Sequence, residues 1–186
     1  MPWEQFEEKE LDGRLQLIAG YLATRLHYNR VVVDLNCGTA PLLDWLPHHP
    51  PEWGRYYGND TCEDFIDKAR NKRQYATMFE CIPDSEVVDS LSRHSLSPSI
   101  LLCLGYAARL NKHESQTLEQ SIEDIVAEHK PEIVILEHWS GITASSLMVF
   151  LEGGGYVEEY AWSLDTIKNV GVYTERIIRI WKLKDA

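Results

Sequence analysis

The sequence predicts an α/β fold: a three-layer sandwich around a mostly parallel, seven-stranded sheet with an antiparallel C-terminal strand. Three observations carry this. Val31-Val32-Val33 is a short, wholly apolar, β-branched run, which suits a central strand covered on both faces. Strand and helix patterns then alternate along the chain. Finally, residues 156–163 and 176–184 read as two long strands with no helical pattern between them, and such neighbours pair most easily antiparallel.

Taken in order, residues 3–28 open with a helical stripe. Leu11, Leu15, Ile18, Leu22 and Leu26 recur at three- and four-residue steps. Such a helix either packs on the sheet or lids a cleft. The first strand breaks at Asn36-Cys37-Gly38, and Pro41 begins a helix expected to reach about Leu46, since Pro suits a first helical position. A turn of this kind turns backbone N–H groups toward a ligand, and the helix dipole favours an anion. A proline-rich connection leads to a second strand at Tyr56-Tyr57-Gly58. Thr61-Cys62-Glu63-Asp64 then reads as a capping-box variant for a helix burying Phe65, Ile66 and Ala69.

Residues 77–82 form the third expected strand, and the helix after it carries Val87, Val88 and Leu91. Residues 99–104 are a strongly apolar fourth strand, stopped by Gly105. Thr117 with Gln120 reads as a second capping box, ahead of a stripe of Leu118, Ile122, Ile125, Val126 and His129. Pro131 ends that helix, residues 132–136 give the fifth strand, and residues 141–152 a helix closed by Gly153-Gly154-Gly155, read as a helix stop. At 186 residues the chain is expected to be one domain over 1–186, with 1–28 its N-terminal helical segment.

Composition narrows the function. The net charge of −11 opposes a nucleic-acid partner, because nothing offsets phosphate repulsion. The one basic cluster, Lys68-Ala69-Arg70-Asn71-Lys72-Arg73, sits at a helix end where cations complement the dipole. With no apolar run of membrane-spanning length and no basic-then-apolar leader, neither a membrane nor export is expected. The four cysteines include no C-x-x-C pair. Cys37, Cys62 and Cys81 fall near one sheet edge, but their wide spacing argues for buried thiols, and no metal is expected. A cytoplasmic protein follows as the default, and a homodimer is left open.

In an open α/β sheet, ligands bind beyond the carboxyl ends of the strands. The sequence places Asp34 to Ala40, Asn59 to Cys62, Glu80 to Asp84, Gly105-Tyr106 and Glu137-His138-Trp139 there. Asp60 ends the second strand some twenty residues beyond the turn, where a carboxylate can accept both hydroxyls of a ribose. Turn and carboxylate together point to a nucleoside cofactor.

At these residues the sequence resembles the class I, Rossmann-like, seven-stranded S-adenosylmethionine-dependent methyltransferases. Val-Val-Val-Asp-Leu-Asn-Cys-Gly-Thr-Ala from Val31 looks like that family's D-x-G-x-G-x-G motif, with Asn36 and Ala40 at two glycine positions. Tyr57-Gly58-Asn59-Asp60-Thr61, followed by Phe65-Ile66 and Ala69-Arg70, is similar to its second motif, and the terminal strand pair matches its inserted antiparallel strand. The resemblance implies S-adenosylmethionine as cofactor. Asp34, Asn36, Cys37 and Gly38 would line its methionine part, and Asp60 with Thr61 would hold the ribose. Cys81-Ile82 or Asp84 would flank the adenine, and Leu104-Gly105-Tyr106 would floor the cleft. A dinucleotide dehydrogenase needs G-x-G-x-x-G, which Asn36-Cys37-Gly38-Thr39-Ala40-Pro41 does not supply.

Methyl transfer needs alignment of donor and acceptor, and a base where the acceptor is protonated. His138, expected just past the fifth strand, is the first candidate, His113 the second, and Tyr106 a hydrogen-bonding group for the acceptor. The alternative for His138 is a packed, satisfied histidine. Trp45, Trp53 and Trp139 could wall an acceptor pocket or fill a core. The acceptor expected is a small molecule or a protein side chain. The other reading is a cofactor-binding module without catalysis, acting through a protein partner.

Overall fold

The computed structural model describes residues 8–27, 29–46, 54–71, 77–104, 112–139, 145–165 and 175–184. Seven strands form one sheet: β1 (Arg30–Leu35), β2 (Gly54–Asp60), β3 (Thr77–Cys81), β4 (Ile100–Cys103), β5 (Ile133–Trp139), β6 (Tyr156–Asp165) and β7 (Glu175–Leu183). Their order is β3-β2-β1-β4-β5-β7-β6. The pairs β1–β2, β2–β3, β1–β4 and β4–β5 are parallel, while β7 runs antiparallel to both β5 and β6. The reversed strand is thus inserted between β5 and β6, and chain order reverses direction between β1 and β4, which opens a crevice there.

Alternation of side chains along each strand separates two cores. On one face α1 (Glu8–Ala23) and α2 (Glu63–Asn71) cover Val32, Tyr56, Ile100, Leu102, Ile133 and Ile135. On the other, α3 (Val87–Arg93), α4 (Lys112–His129) and α5 (Ser145–Gly153) cover Val33, Tyr57, Leu101, Val134 and Leu136. Leu15, Ile18 and Leu22 of the predicted first-helix stripe are buried against the sheet, so α1 is a packing helix over this length. It ends at Ala23, short of Tyr28. Residues 3–7 and 28 and the side chain of Leu11 lie outside the description.

Several boundaries differ from the sequence reading. The helix expected from Pro41 to Leu46 is a single 3-10 turn, Pro41–Asp44, with Ala40 left-handed before it. Only five residues separate Pro41 from Pro47, too few to repay helix nucleation before the next proline breaks the pattern. Thr117 and Gln120 lie inside α4, which already runs from Lys112. There Gln120 donates to Asp124 at 2.9 Å and Ser121 donates to the Thr117 carbonyl at 2.9 Å. Residues three apart meet anywhere on a helix, so the pattern alone does not mark its start. β5 extends to Trp139, which puts His138 inside the strand. Gly153 does close α5, with the Gly154 N–H bonded to the Phe150 carbonyl at 2.8 Å. No described helix is long and apolar enough to cross a membrane.

Candidate active site

The turn after β1 is built on three left-handed residues: Asn36 at φ 54°, Gly38 at φ 57° and Ala40 at φ 51°. These are the three positions at which the first motif carries glycine. Asn adopts this conformation with little cost, whereas Ala carries a penalty on the order of 1–2 kcal/mol. Asn36 also uses its side chain, donating from Nδ2 to Asp84 Oδ2 at 3.0 Å.

Asp60, at the carboxyl end of β2, holds the turn in place. Its Oδ2 accepts the Gly38 N–H at 3.0 Å and its Oδ1 accepts the Cys62 N–H at 2.9 Å. The second contact is a carboxylate-to-backbone turn two residues on, so Asp60 organises the start of α2, the role the sequence assigned to Thr61. Thr61 is exposed, and its carbonyl accepts the Cys81 thiol at 3.5 Å. Each Asp60 oxygen keeps a second lone pair for a ligand.

The turn's own N–H groups are less available than the sequence suggests. Cys37 N–H goes to the Asn59 carbonyl at 2.9 Å, Gly38 N–H to Asp60, and Ala40 N–H to the Cys37 carbonyl at 2.9 Å. With only a 3-10 turn following, no extended helix dipole points at the site. Three of the turn's N–H groups are thus bonded within the protein, and carboxylates gather beside it.

Those carboxylates are Asp34, Asp60 and Asp84. Asn59, wholly buried, donates to Asp84 Oδ1 at 2.9 Å and to the Ile82 carbonyl at 3.3 Å, so Asp84 takes amide protons from both Asn36 and Asn59. Burial pushes the Asp84 carboxyl up, opposed by those two amides and reinforced by Asp60. Asp34 is 2% exposed and accepts the Tyr56 hydroxyl on Oδ2. Its Oδ1 is buried without a partner. Burial raises its carboxyl to about 7; the Tyr56 bond and the Arg14 charge oppose the rise, and Asp60 adds to it.

Farther along the same face, Glu137 of β5 is held by two arginines. Arg14 of α1 brings Nη1 to 2.6 Å from both Glu137 oxygens, and Arg176 of β7 brings Nη1 to 3.1 Å from Oε1. All three residues are buried. Arg14 sits on the apolar stripe of α1, between Leu11 and Leu15. A charge on a buried stripe was the one sequence signal that could have singled it out.

His138 points to the opposite face, that of Val134 and Leu136, by strand alternation. It is 4% exposed, and its Nε2 accepts from Arg179 Nε at 3.2 Å. A lone pair occupied by an arginine takes no acceptor proton at that atom. His138 is thus buried and hydrogen-bonded within the sheet. Tyr106, Gly105 and the side chain of His113 lie outside the described residues, as do Trp53 and the side chain of Trp139. Trp45 packs against the α1 core. Leu104 packs at the end of β4 on the Asp34 face, Cys81 on that same face at the end of β3, and Ile82 on the other. Cys37 is buried, its thiol raised by burial and by Asp34 and Asp60. Of the basic cluster, Arg70 is engaged by Glu63 at 2.9 Å and Asp67 at 3.1 Å on its own helix. No group of metal-binding side chains occurs among the described residues.

No family model and no curated protein sequence matches the chain. Solved structures do. Magnesium protoporphyrin IX methyltransferase from Synechocystis PCC 6803, solved with bound SAM, superposes at TM-score 0.66 and 15% identity, over 95% of this chain and 84% of that one. N-methyltransferase NodS from Bradyrhizobium japonicum WM9 gives TM-score 0.64 at 9% identity, over 96% and 99%. TrmK of M. capricolum, solved with S-adenosyl-homocysteine, gives 0.58 at 12% identity, over 90% and 68%. The chain has the class I methyltransferase fold. Within that methyltransferase fold, the left-handed turn, Asp60 and the Asn36–Asp84–Asn59 network all lie at the carboxyl ends of β1 and β2 or in the segment after β3, on the side where the sheet order opens.

Proposed function

We propose that the chain binds S-adenosylmethionine and transfers its methyl group to a small molecule or a protein side chain. The observation that carries this reading is Asp60 bound to the Gly38 N–H across the β1–β2 edge. It sets a carboxylate with free lone pairs beside a turn whose Gly38 has nothing within 4 Å of where a Cβ would stand. A nucleoside ribose fits such a cradle. Asp34 Oδ1 and Asn59 Oδ1, both buried and unpartnered, supply further acceptors suited to a ligand rich in N–H and cationic groups. The sulfonium cofactor brings an electrophilic methyl group; the chain's part is to bind it, orient the acceptor and exclude water.

Four free cysteines suit a reducing, cytoplasmic setting. The charge of −11 disfavours nucleic acid as the acceptor. Tyr106 and His113 are the proposed groups for the acceptor's proton.

A second reading, a cofactor-binding module acting through a protein partner, is favoured by one observation: the engagement of His138 Nε2 by Arg179. The two readings share the cofactor and differ in turnover. Calorimetric titration with S-adenosylmethionine and S-adenosylhomocysteine is the deciding experiment, on the native chain and on Asp60→Ala. Asp60 also holds the turn and α2, so circular dichroism must first show that the variant is folded. Binding that is lost in the folded variant supports the cofactor. No binding to the native chain removes both readings, and binding with no turnover across an acceptor screen selects the module.

A further inference from the structure

The sheet ends on β6, a ten-residue edge strand with a strand on its inner side only. Val157 to Ala161 and Ser163 are all exposed along it, and Trp162 between them is half-buried. The α1 face of this edge is aromatic. Tyr160 and Trp162 stack with ring centroids 5.8 Å apart, and the Tyr21 ring of α1 stands at 77° to both. Tyr160 is still 43% exposed, Val157 42%, and Leu17, one turn before Tyr21 on α1, 39%. Three of the four exposed large apolar side chains among the described residues thus belong to α1 and β6, the mark of an interaction surface.

Proteins guard a bare edge with charges, bulges or a covering element. β6 has two carboxylates, Glu158 and Glu159, and a bulge between Glu158 and Tyr160, all in its first half. Both carboxylates are already neutralised within the chain, Glu158 by Arg179 and Glu159 by Arg25 at 3.3 Å. A basic partner would find them taken. From Tyr160 to Ser163 the edge carries no charge and pairs with β7 in unbroken register. On a chain of net charge −11, this stretch lets a second copy approach without carboxylate facing carboxylate.

We infer that two copies of the chain pair through β6, antiparallel about a two-fold axis at Ala161, joining their sheets into one. About that axis Tyr160 of each copy opposes Trp162 of the other on the α1 face, which carries the aromatic stack across the contact. Glu159 opposes Ser163, and the small Ala161 opposes itself. The contact is isologous and closes at two copies. β5 and β7 separate β6 from the crevice between β1 and β4, so the pairing stands or falls independently of the ligand bound there.

Sedimentation velocity on the native chain is expected to show a species of twice the 21.4 kDa chain mass. Ala161→Glu sets two carboxylates against each other at the axis, on an exposed site where the folded chain tolerates it. It should weaken the dimer about a hundred-fold or more. Ser163→Glu, which opposes Glu159, serves if circular dichroism shows that the first variant is unfolded. Ala161→Cys brings two thiols together across Cα atoms about 4.5–5.5 Å apart, a span that a disulfide bridges. Mild oxidation should link two chains of this variant and not of the native protein. A dimer that survives the glutamate variant, or whose cysteine variant gives no cross-link, overturns the inference. So does a native monomer up to millimolar concentration, which would leave the edge to a strand of another protein.

Discussion

Asp34 is where the chemistry of single residues shows most directly. Its ordinary carboxyl value is 3.8, and burial lifts it to about 7 in the folded chain. Below about pH 4 both folded and unfolded chains hold the proton, and Asp34 contributes nothing to the pH dependence. Between that value and 7 only the folded chain holds it, so stability falls as pH rises through this window, and the cost is fully present above it. Asp34→Asn still accepts the Tyr56 hydroxyl but has no charge to bury. Urea denaturation at pH 5 and pH 8 should therefore show a smaller difference in the variant, which should gain on the order of a few kcal/mol over the native chain at the higher pH. A second prediction concerns Ala40, left-handed and wholly buried. Ala40→Val puts a β-branched side chain where even alanine is strained, and should cost about 2 kcal/mol or more by the same measurement. The two glycine replacements were visible in the sequence, and the left-handed turn survived both. Tyr56 was not visible as a partner of Asp34, because a strand residue's hydrogen bond depends on which neighbour lies beside it.

Among the elements, α1, β5 and β7 are joined by one buried carboxylate. Glu137→Gln leaves Arg14 and Arg176 facing a neutral amide, and breaking a buried pair from one side costs about 3–5 kcal/mol. The variant should unfold at distinctly lower urea with an unchanged slope; a shift below 0.5 kcal/mol would show that the triad contributes little. This junction was only half legible. The stripe Leu15, Ile18 and Leu22 announced that α1 packs on the sheet, but nothing local tied Arg14 to a strand 123 residues later. The 3-10 turn at Pro41 and the early start of α4 were missed for a related reason. Proline and capping patterns say where a helix is permitted, whereas its length depends on the surroundings that repay nucleation.

At the scale of the whole molecule, the alternation of strands and helices and the helix-free terminal pair were enough to anticipate a mostly parallel sheet with one inserted antiparallel strand, as observed. Handed crossovers leave few ways to wind such a chain, so the topology follows from element order. The site does not follow so far, because Arg14 reaches Glu137 only through the packing of α1 on the sheet. A ligand bound in that crevice touches elements from both halves of the sheet, so its binding free energy stabilises the whole fold. At a hundred times its dissociation constant, S-adenosylmethionine should add about 2.7 kcal/mol. For a chain of this size that is a rise in melting temperature of about 5–10 °C. NAD should give none, since Asn36 and Ala40 stand where a dinucleotide turn needs glycine for close approach of the pyrophosphate, and Cys37, Gly38 and Ala40 offer it no unpaired N–H. Folded Asp60→Ala should lose the rise with S-adenosylmethionine. Equal rises with both ligands would mean that the crevice reads only an adenine nucleoside, and the shape of the turn would then have no part in choosing the cofactor.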